Sequence, residues 1–336
     1  MIWLDNSRII AAFAAVFLHT AAALVKGSYI GTEYWWTGNF YDSFVRWCVP
    51  VFVMISGALL LDPGKKEDLK TFYRKRASKI AVPVLFWSAF FSLWTMLKGM
   101  IKQDIPSLFD IIKEVGSGTP YYHMWFLYMI IPLYLVTPFF RKIIVTSTRA
   151  ELTLLVVFIF LMAALNAAFS KIFPCGSELF TNWFLSYIQY FFLGHLIRTS
   201  NRRFPKTILW GVFLLSVCLT AFGVYIVAVD INLNTGLYFR GYLSITVIPM
   251  SISIMYLLKS WTIPVINEKF TKKLALLTFG IYLIHPIVLE IIKYSNIGLL
   301  NFHPVASIPV TALIVFALSL IASWGIDQVP YLNHVI

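Results

Sequence analysis

Two ionisable side chains share the first apolar segment, "RIIAAFAAVFLHT", which begins at Arg8 and carries His19 near its end. Eleven residues separate them, so on an α-helix they lie within about 20° of one face and roughly 16 Å apart along the axis. An imidazole suits general-base chemistry near neutral pH, and a guanidinium suits an anionic ligand group. The spacing predicts a catalytic pair. The alternative is that Arg8 marks a helix end and His19 only bonds a neighbouring helix.

A basic cluster follows in "TFYRKRASKIAVP", where we predict that Arg74, Arg76 and Lys79 bind a cofactor. Arg76 and Lys79 are three residues apart and would share one helical face. Cations grouped in this way can hold the phosphates of a nucleotide-like ligand. The cluster could equally fix membrane topology or contact anionic lipid headgroups.

Two further segments carry polar groups within apolar surroundings. "PYYHMWFLY" contains His123 and Trp125, and "FGIYLIHPIVLEII" contains Tyr282, His285 and Glu290. Tyr282 and His285 share a helical face, and a proline directly after His285 removes a backbone donor. We predict that all five residues line a substrate site. Interfacial anchoring of the aromatic residues, or packing between helices, is the alternative for each segment.

The composition identifies the environment of these residues. Of 336 residues, 59% are hydrophobic and only 12% are charged, with a mean hydropathy of +0.78. Soluble domains carry about 25% charged residues, so the chain is predicted to be an integral membrane protein. The net charge of +12 is spread between apolar runs, which argues against a nucleic-acid partner. Cys48, Cys175 and Cys218 match no ligand spacing, so we expect neither a metal site nor a disulfide framework.

Apolar runs of about 17–25 residues predict an all-α bundle of ten transmembrane helices. The predicted spans are 9–26, 44–61, 80–97, 124–140, 152–170, 183–197, 207–229, 241–258, 274–292 and 305–326. Of the 27 Lys and Arg residues, 19 fall on one side of this arrangement and 8 on the other. This asymmetry places both termini in the cytoplasm. We expect one membrane domain over residues 1–336, with no fused soluble domain.

The ordered set of motifs resembles the membrane-bound acyltransferase 3 family over essentially the whole chain. The set comprises the Arg8–His19 pair, "FVMISGALL" at 52–60, "RASKIAVPVLFW" at 76–87, "HMWFLY" at 123–128 and "FGIYLIHP" at 279–286. No one of these motifs is specific, but their order and the span count are.

The resemblance implies transfer of an acyl group, usually acetyl from cytoplasmic acetyl-CoA, to a hydroxyl of an envelope glycan at the bacterial inner membrane. His19 matches the family's catalytic histidine and Arg8 its partner arginine. Arg76 and Lys79 match a paired-arginine motif for the CoA phosphates, although lysine at the second position lacks the bidentate fork of arginine.

Several features of this reaction stay open at the level of sequence. The glycan could be lipopolysaccharide O-antigen, enterobacterial common antigen, capsule or exopolysaccharide. Succinyl could replace acetyl, and transfer could be direct or pass through an acyl-histidine. A transporter or flippase of lipid-linked sugars is the competing class, since it too would place polar residues and a broken helix at mid-depth. Against it, no internal repeat pairs the two halves.

Overall fold

The computed structural model describes residues 1–64, 67–172, 185–294 and 302–336. Within these ranges the chain is helical and forms no strand. The α-helices are α1 (Ile2–Gly27), α2 (Glu33–Val45), α3 (Cys48–Leu60), α4 (Leu69–Arg76), α5 (Val82–Lys102), α6 (Leu108–Gly116), α7 (Trp125–Thr146), α8 (Arg149–Ile172), α9 (Ile188–Thr199), α10 (Lys206–Asp230), α11 (Leu233–Gly236), α12 (Val247–Lys259), α13 (Glu268–Tyr294) and α14 (Pro304–Asp327). A π-helical segment, Ala77–Ala81, joins α4 to α5, and 3₁₀ turns occupy Leu237–Arg240 and Leu332–Val335.

Seven helical stretches of the described chain are long and apolar enough to cross a membrane. They are Ile2–Val25, Glu33–Leu60, Leu69–Lys102, Trp125–Thr146, Lys206–Asp230, Glu268–Tyr294 and Pro304–Asp327. Each contains most or all of one predicted span. The prediction of a multi-pass helical membrane protein is therefore confirmed, whereas the count of ten and the cytoplasmic termini stay predictions.

The other three predicted spans are not among these seven stretches. The span 152–170 coincides with α8, a helix of 24 residues. The span 241–258 contains a shorter helix, α12, of 13 residues. The span 183–197 is only partly described, and its described part includes most of α9, which has 12 residues. Cys175 and the lysines at 65 and 66 also lie outside the described residues.

The second membrane-spanning stretch, Glu33–Leu60, is interrupted near its middle. Thr32 caps α2 by accepting from the main-chain N–H of Trp35 at 3.3 Å. The helix then ends at Val45, and α3 begins at Cys48. Within a membrane such an interruption requires that the freed backbone groups be buried in protein or face a polar cavity. The break therefore marks a region of the bundle where polar groups collect.

Helices α3 and α9 cross at unusually close range, and two glycines permit the contact. A Cβ atom added to Gly57 would collide with the main-chain carbonyl of Phe191, and one added to Gly194 would collide with that of Met54. Small residues at helix crossings let backbones approach and gain van der Waals contact in a membrane. The motif "FVMISGALL" thus contains a packing glycine. This close crossing buries α9 despite its short length.

Substitution of Gly57 by alanine is expected to destabilise the protein by about 1–3 kcal/mol, because the obstructing atoms belong to the backbone and cannot rotate away. The measurement is the apparent Tm of detergent-solubilised protein by fluorescence-detected size exclusion. Gly211→Ala on α10 is the matched control, since no atom lies within 4 Å of its added Cβ. Equal Tm values for both variants would contradict the proposed role of the crossing.

Candidate active site

Three histidines from separate parts of the chain meet inside the bundle. His19 comes from α1, His285 from α13, and His123 from the turn that precedes α7. The His19 and His285 rings stack, with centroids 5.3 Å apart and planes at 24°. The His123 ring meets His285 edge-on at 5.5 Å. The structure therefore brings together three of the residues that sequence analysis placed in one site.

Pro286 determines which ring nitrogen of His285 carries the proton. Proline has no N–H to offer the carbonyl of Tyr282 four residues earlier, so that acceptor is left open. The Nδ1 atom of His285 occupies it at 2.7 Å. A carbonyl can only accept, so Nδ1 carries the proton, and in the neutral ring Nε2 keeps its lone pair. This Nε2 is buried and has no hydrogen-bond partner among the described residues.

His123 and Tyr282 are joined through the main chain. The Tyr282 hydroxyl donates to the carbonyl oxygen of His123, which fixes the turn before α7 against α13. The His123 ring is buried, and neither of its nitrogens has a hydrogen-bond partner in the part of the chain that the structure describes. Burial holds the pKa of His123 well below its usual value, so the ring is neutral at neutral pH. A neutral imidazole offers one donor and one acceptor to a ligand.

Tyr122 is a neighbour of His19 that sequence analysis did not select. Its ring meets the His19 ring edge-on at 4.9 Å, and 45% of the residue is exposed. His19 is itself half-buried, whereas His123 and His285 are buried. The accessible side of the histidine cluster is therefore the side of His19 and Tyr122.

Glu290 belongs to a separate polar network at the far end of α13. Its carboxylate accepts from Trp94 Nε1 at 2.8 Å, from Lys98 Nζ at 2.9 Å and from the Tyr121 hydroxyl. These contacts connect α13 to α5 and to the segment that carries His123. The structure thus places Glu290 as a support for that segment. Its role as a substrate ligand stays a prediction.

Trp125 contacts aromatic rings outside the histidine cluster. Its ring stacks on Tyr242 at 5.7 Å and 21°, and also contacts Tyr187 at 6.0 Å. The neighbouring Phe126 connects the two regions, because it contacts Tyr282 at 5.8 Å. Trp125 is therefore part of a second aromatic group adjoining the histidine cluster.

The basic cluster forms one wall of a groove of about 650 Å³. Lys75, Arg76 and Lys79 all line it, whereas Arg74 is exposed and does not. Glu67 pairs with Lys75 at 2.7 Å, and this contact lowers the pKa of the Glu67 carboxyl. Arg76 and Lys79 remain as the cations without a salt-bridge partner among the groove residues that the structure describes. Lys79 belongs to the π-helical turn Ala77–Ala81, which begins directly after Arg76, and such turns are frequent at functional sites.

Arg76 is supported by packing. Its guanidinium lies over the ring of Phe72 at 5.2 Å, and Arg141 lies over the same ring at 5.0 Å. Phe72 is buried, and its ring packs against both guanidinium groups. Arg76 Nε is buried and has no hydrogen-bond partner within the described chain.

Arg8 lies on α1 about three helical turns before His19. It is 3.7 Å from Asp5 on its own helix and remains 31% exposed. It is not among the residues that line the basic groove, so its role beside His19 stays a prediction.

Comparison with known proteins decides the class of this site. A family model described as an acyltransferase domain matches residues 1–327. The chain belongs to the acyltransferase 3 family. The nodulation protein NolL of Mesorhizobium japonicum is 29% identical over 100 residues, which is 29% of this chain and 26% of that protein. The match thus spans about a quarter of the relative's length. No solved structure matches the chain.

The chain is thus a membrane protein of the acyltransferase 3 family, and its geometry provides an imidazole cluster and a cationic groove. No group of three or more His, Cys, Asp and Glu side chains in the described ranges is placed to hold a metal ion. Sequence analysis did not select Tyr122 or Lys75 as site residues, because their types are common at membrane interfaces. It missed a buried ionic cluster around Asp42, since Arg240, which joins Asp42 and Arg46, lies far from them in the sequence.

Proposed function

We propose that this acyltransferase moves an acetyl group from cytoplasmic acetyl-CoA to a hydroxyl of an envelope glycan at the bacterial inner membrane. The observation that carries the proposal is the stacked pair of His19 and His285. His285 is held in one tautomer, and His19 lies on the accessible side. A neutral imidazole in such a setting is suited to accept a proton from a hydroxyl.

The basic groove supports a CoA-type donor. Arg76 and Lys79, with Lys75 beside them, would hold the phosphates of CoA through charge-assisted hydrogen bonds. Arg8, about three helical turns before His19 on α1, would meet the anionic groups nearer the thioester. The acyl chain would then extend along α1 toward His19, over the roughly 16 Å that eleven helical residues span.

The chemical step is a direct transfer. The acceptor hydroxyl oxygen attacks the thioester carbonyl carbon while His19 takes the hydroxyl proton. The carbon–sulfur bond then breaks, and the imidazolium returns this proton to the departing thiolate, which leaves as free CoA thiol. The neutral His123 ring, whose buried nitrogens have no partner among the described residues, would donate to the developing oxyanion. The Tyr282 hydroxyl already donates its proton to the His123 carbonyl oxygen, so Tyr282 would position the His123 segment and take no part in proton transfer.

The acceptor is proposed to be a lipid-linked or cell-surface polysaccharide. The segments 3–20 and 123–128 resemble the O-acetyltransferase of enterobacterial common antigen, so this antigen is the first acceptor to test. Lipopolysaccharide O-antigen follows. NolL is named for nodulation, and a similarity over a quarter of its length does not transfer its acceptor to this chain.

The function is tested by incubating membranes that contain the protein with labelled acetyl-CoA and isolated glycan. Incorporation that depends on the protein supports the acyltransferase. A flippase would move the glycan without acetylating it, and purified flippase need not be stabilised by CoA. Absence of both acetyl incorporation and CoA-dependent thermal stabilisation would therefore overturn the proposal.

Arg76→Ala is expected to raise the KM for acetyl-CoA about tenfold to a hundredfold, because one charge-assisted contact to phosphate is lost. The KM for the glycan should change little. Arg74→Ala is the matched control, since Arg74 belongs to the same basic run but lies outside the groove lining. If both variants raise the donor KM equally, general surface charge and not the groove binds the donor.

A further inference from the structure

A buried ionic cluster, separate from the histidines, surrounds Asp42 of α2. Arg46 Nη2 contacts the two carboxylate oxygens of Asp42 at 2.7 and 2.6 Å. Arg240 Nη1 approaches the same carboxylate at 2.9 Å, and its Nη2 donates to Asn39 at 2.7 Å. Asp42 is fully buried and Arg240 is 5% exposed. Two guanidinium groups thus share one carboxylate inside the protein.

The cluster carries an uncompensated positive charge. Arginine stays protonated in proteins, and although burial lowers the pKa of Arg240 to about 10, it remains a cation at neutral pH. Among the described residues, Asp42 is the sole carboxylate within ion-pair distance of either arginine. The Nε atoms of Arg46 and Arg240 are also buried without a hydrogen-bond partner there. Buried charge and unmade hydrogen bonds are costly unless an anion compensates them.

The cluster lies at the depth of His19. Helix α2 packs against the second half of α1: a Cβ on Gly38 would lie 2.9 Å from the Cβ of Leu24, and the Tyr41 ring contacts Phe17 at 5.3 Å. Asp42 follows Tyr41 directly, and Arg46 is one turn further on, at the break before α3. The positive charge therefore lies near the level where acyl transfer would occur.

Arg46 is the member of the cluster that a ligand can reach. Its side chain is 15% exposed, whereas Asp42 is inaccessible. Its guanidinium lies 6.0 Å from the centroid of the Tyr242 ring, which stacks on Trp125. Tyr242 and Trp125 are both half-buried, so part of each remains accessible. A flat aromatic pair beside a guanidinium is suited to a sugar ring that carries an acidic group.

Ring contacts connect this pair to the histidines. Trp125 contacts Phe126 at 6.3 Å, and Phe126 contacts Tyr282 at 5.8 Å. Tyr282 is in turn 5.9 Å from the His285 ring. Three successive ring contacts would thus connect a sugar on the Trp125–Tyr242 pair to the proposed reaction centre.

We infer that Arg46, held by Asp42 and Arg240 and flanked by Tyr242 and Trp125, is a binding subsite for an anionic group of the acceptor. The ligand chemistry is a carboxylate of an acidic sugar or a phosphate of a lipid-linked glycan, either of which would compensate the positive charge of the partly exposed guanidinium. The inference rests on the proposed function, because it assigns a class of acceptor to the same enzyme. Arg46 would select the acceptor and position its sugar, without touching the acyl donor.

Direct binding to the purified full chain, in nanodiscs of neutral phosphatidylcholine, tests the subsite. The probes are a glucuronic-acid oligosaccharide, polyprenyl phosphate added to the nanodisc, and a neutral glucose oligosaccharide of equal length. We expect at least one acidic probe, and not the neutral one, to raise the Tm. Arg46→Gln should weaken binding of that probe about tenfold to a hundredfold. Arg46→Lys should retain part of it, because charge is kept while the fork is lost.

The outcomes separate this inference from the proposed function. An acidic probe whose binding depends on Arg46 supports the subsite even if CoA fails to bind and no acetyl is transferred. A monodisperse size-exclusion profile at the wild-type elution volume reports correct folding of each variant, and Arg46→Lys replaces Arg46→Gln if the latter unfolds. The inference is overturned if neither acidic probe stabilises the wild-type protein, if the neutral oligosaccharide binds equally, or if both Arg46 variants bind the acidic probe normally.

Discussion

Replacing His19 by alanine is expected to reduce acetyl transfer between about a hundredfold and ten-thousandfold, the range over which a general base contributes. The loss should fall on kcat, because the residue acts on the hydroxyl during the reaction and the donor phosphates bind elsewhere. The measurement is initial-rate transfer of labelled acetyl at saturating acetyl-CoA. CoA-dependent thermal stabilisation should remain, which would show that the variant is folded.

His303→Ala is the matched control for this experiment, because His303 is exposed and pairs with Glu33 at 3.0 Å, outside the histidine cluster. It should transfer acetyl at the wild-type rate. Normal transfer by a folded His19→Ala protein would assign the base to another residue. His285 would then be the next to test, since its Nε2 lone pair is unpartnered among the described residues.

Asp42→Asn is expected to destabilise the protein by about 3–5 kcal/mol, the usual effect of removing one partner from a buried ion pair. The substitution leaves Arg46 and Arg240 facing each other with no carboxylate between them. The change is measured as a lower apparent Tm and a smaller monodisperse fraction after extraction. Asp230→Asn, at an exposed helix end, is the control and should leave the Tm unchanged.

A double variant distinguishes electrostatic repulsion from a simple loss of packing. Asp42→Asn combined with Arg240→Gln has the same net charge at the cluster as the wild-type protein, so it should be more stable than Asp42→Asn alone. Neighbouring charges that interact give non-additive effects of this kind. If the destabilisation of the double variant equals the sum of the destabilisations of Asp42→Asn and Arg240→Gln alone, burial of unmatched charge is not the reason for the instability.

Much of the fold was predictable because hydropathy acts locally. A helix that faces lipid must be apolar over about 20 residues, so the seven long spans could be read directly from the sequence. The short helices α9 and α12 were predicted with poorer boundaries. Their burial depends on close packing, as at Gly57 and Gly194, and a hydropathy pattern does not encode that contact.

The candidate site was predictable in its members but not in its arrangement. His19, His123 and His285 are rare polar groups in apolar segments, and such residues are costly in a membrane without a function. The contacts among these three histidines could not be predicted from the sequence, because they depend on how α1 and α13 pack against the turn before α7. Arg74 and Arg76 looked alike in the sequence, yet only Arg76 lines the groove. The π-helical turn Ala77–Ala81 also changes the angle between Arg76 and Lys79, whose shared face was predicted from regular α-helical spacing.

The sequence by itself determined that this chain is a multi-pass membrane protein of the acyltransferase 3 family, because composition and motif order are properties of the chain. Only the tertiary structure decided that His285 stacks on His19, and that Glu290 holds a turn in place. It alone brought Arg240 within 2.9 Å of Asp42. Those contacts join residues that are far apart in the sequence, and only packing of the helices places them together.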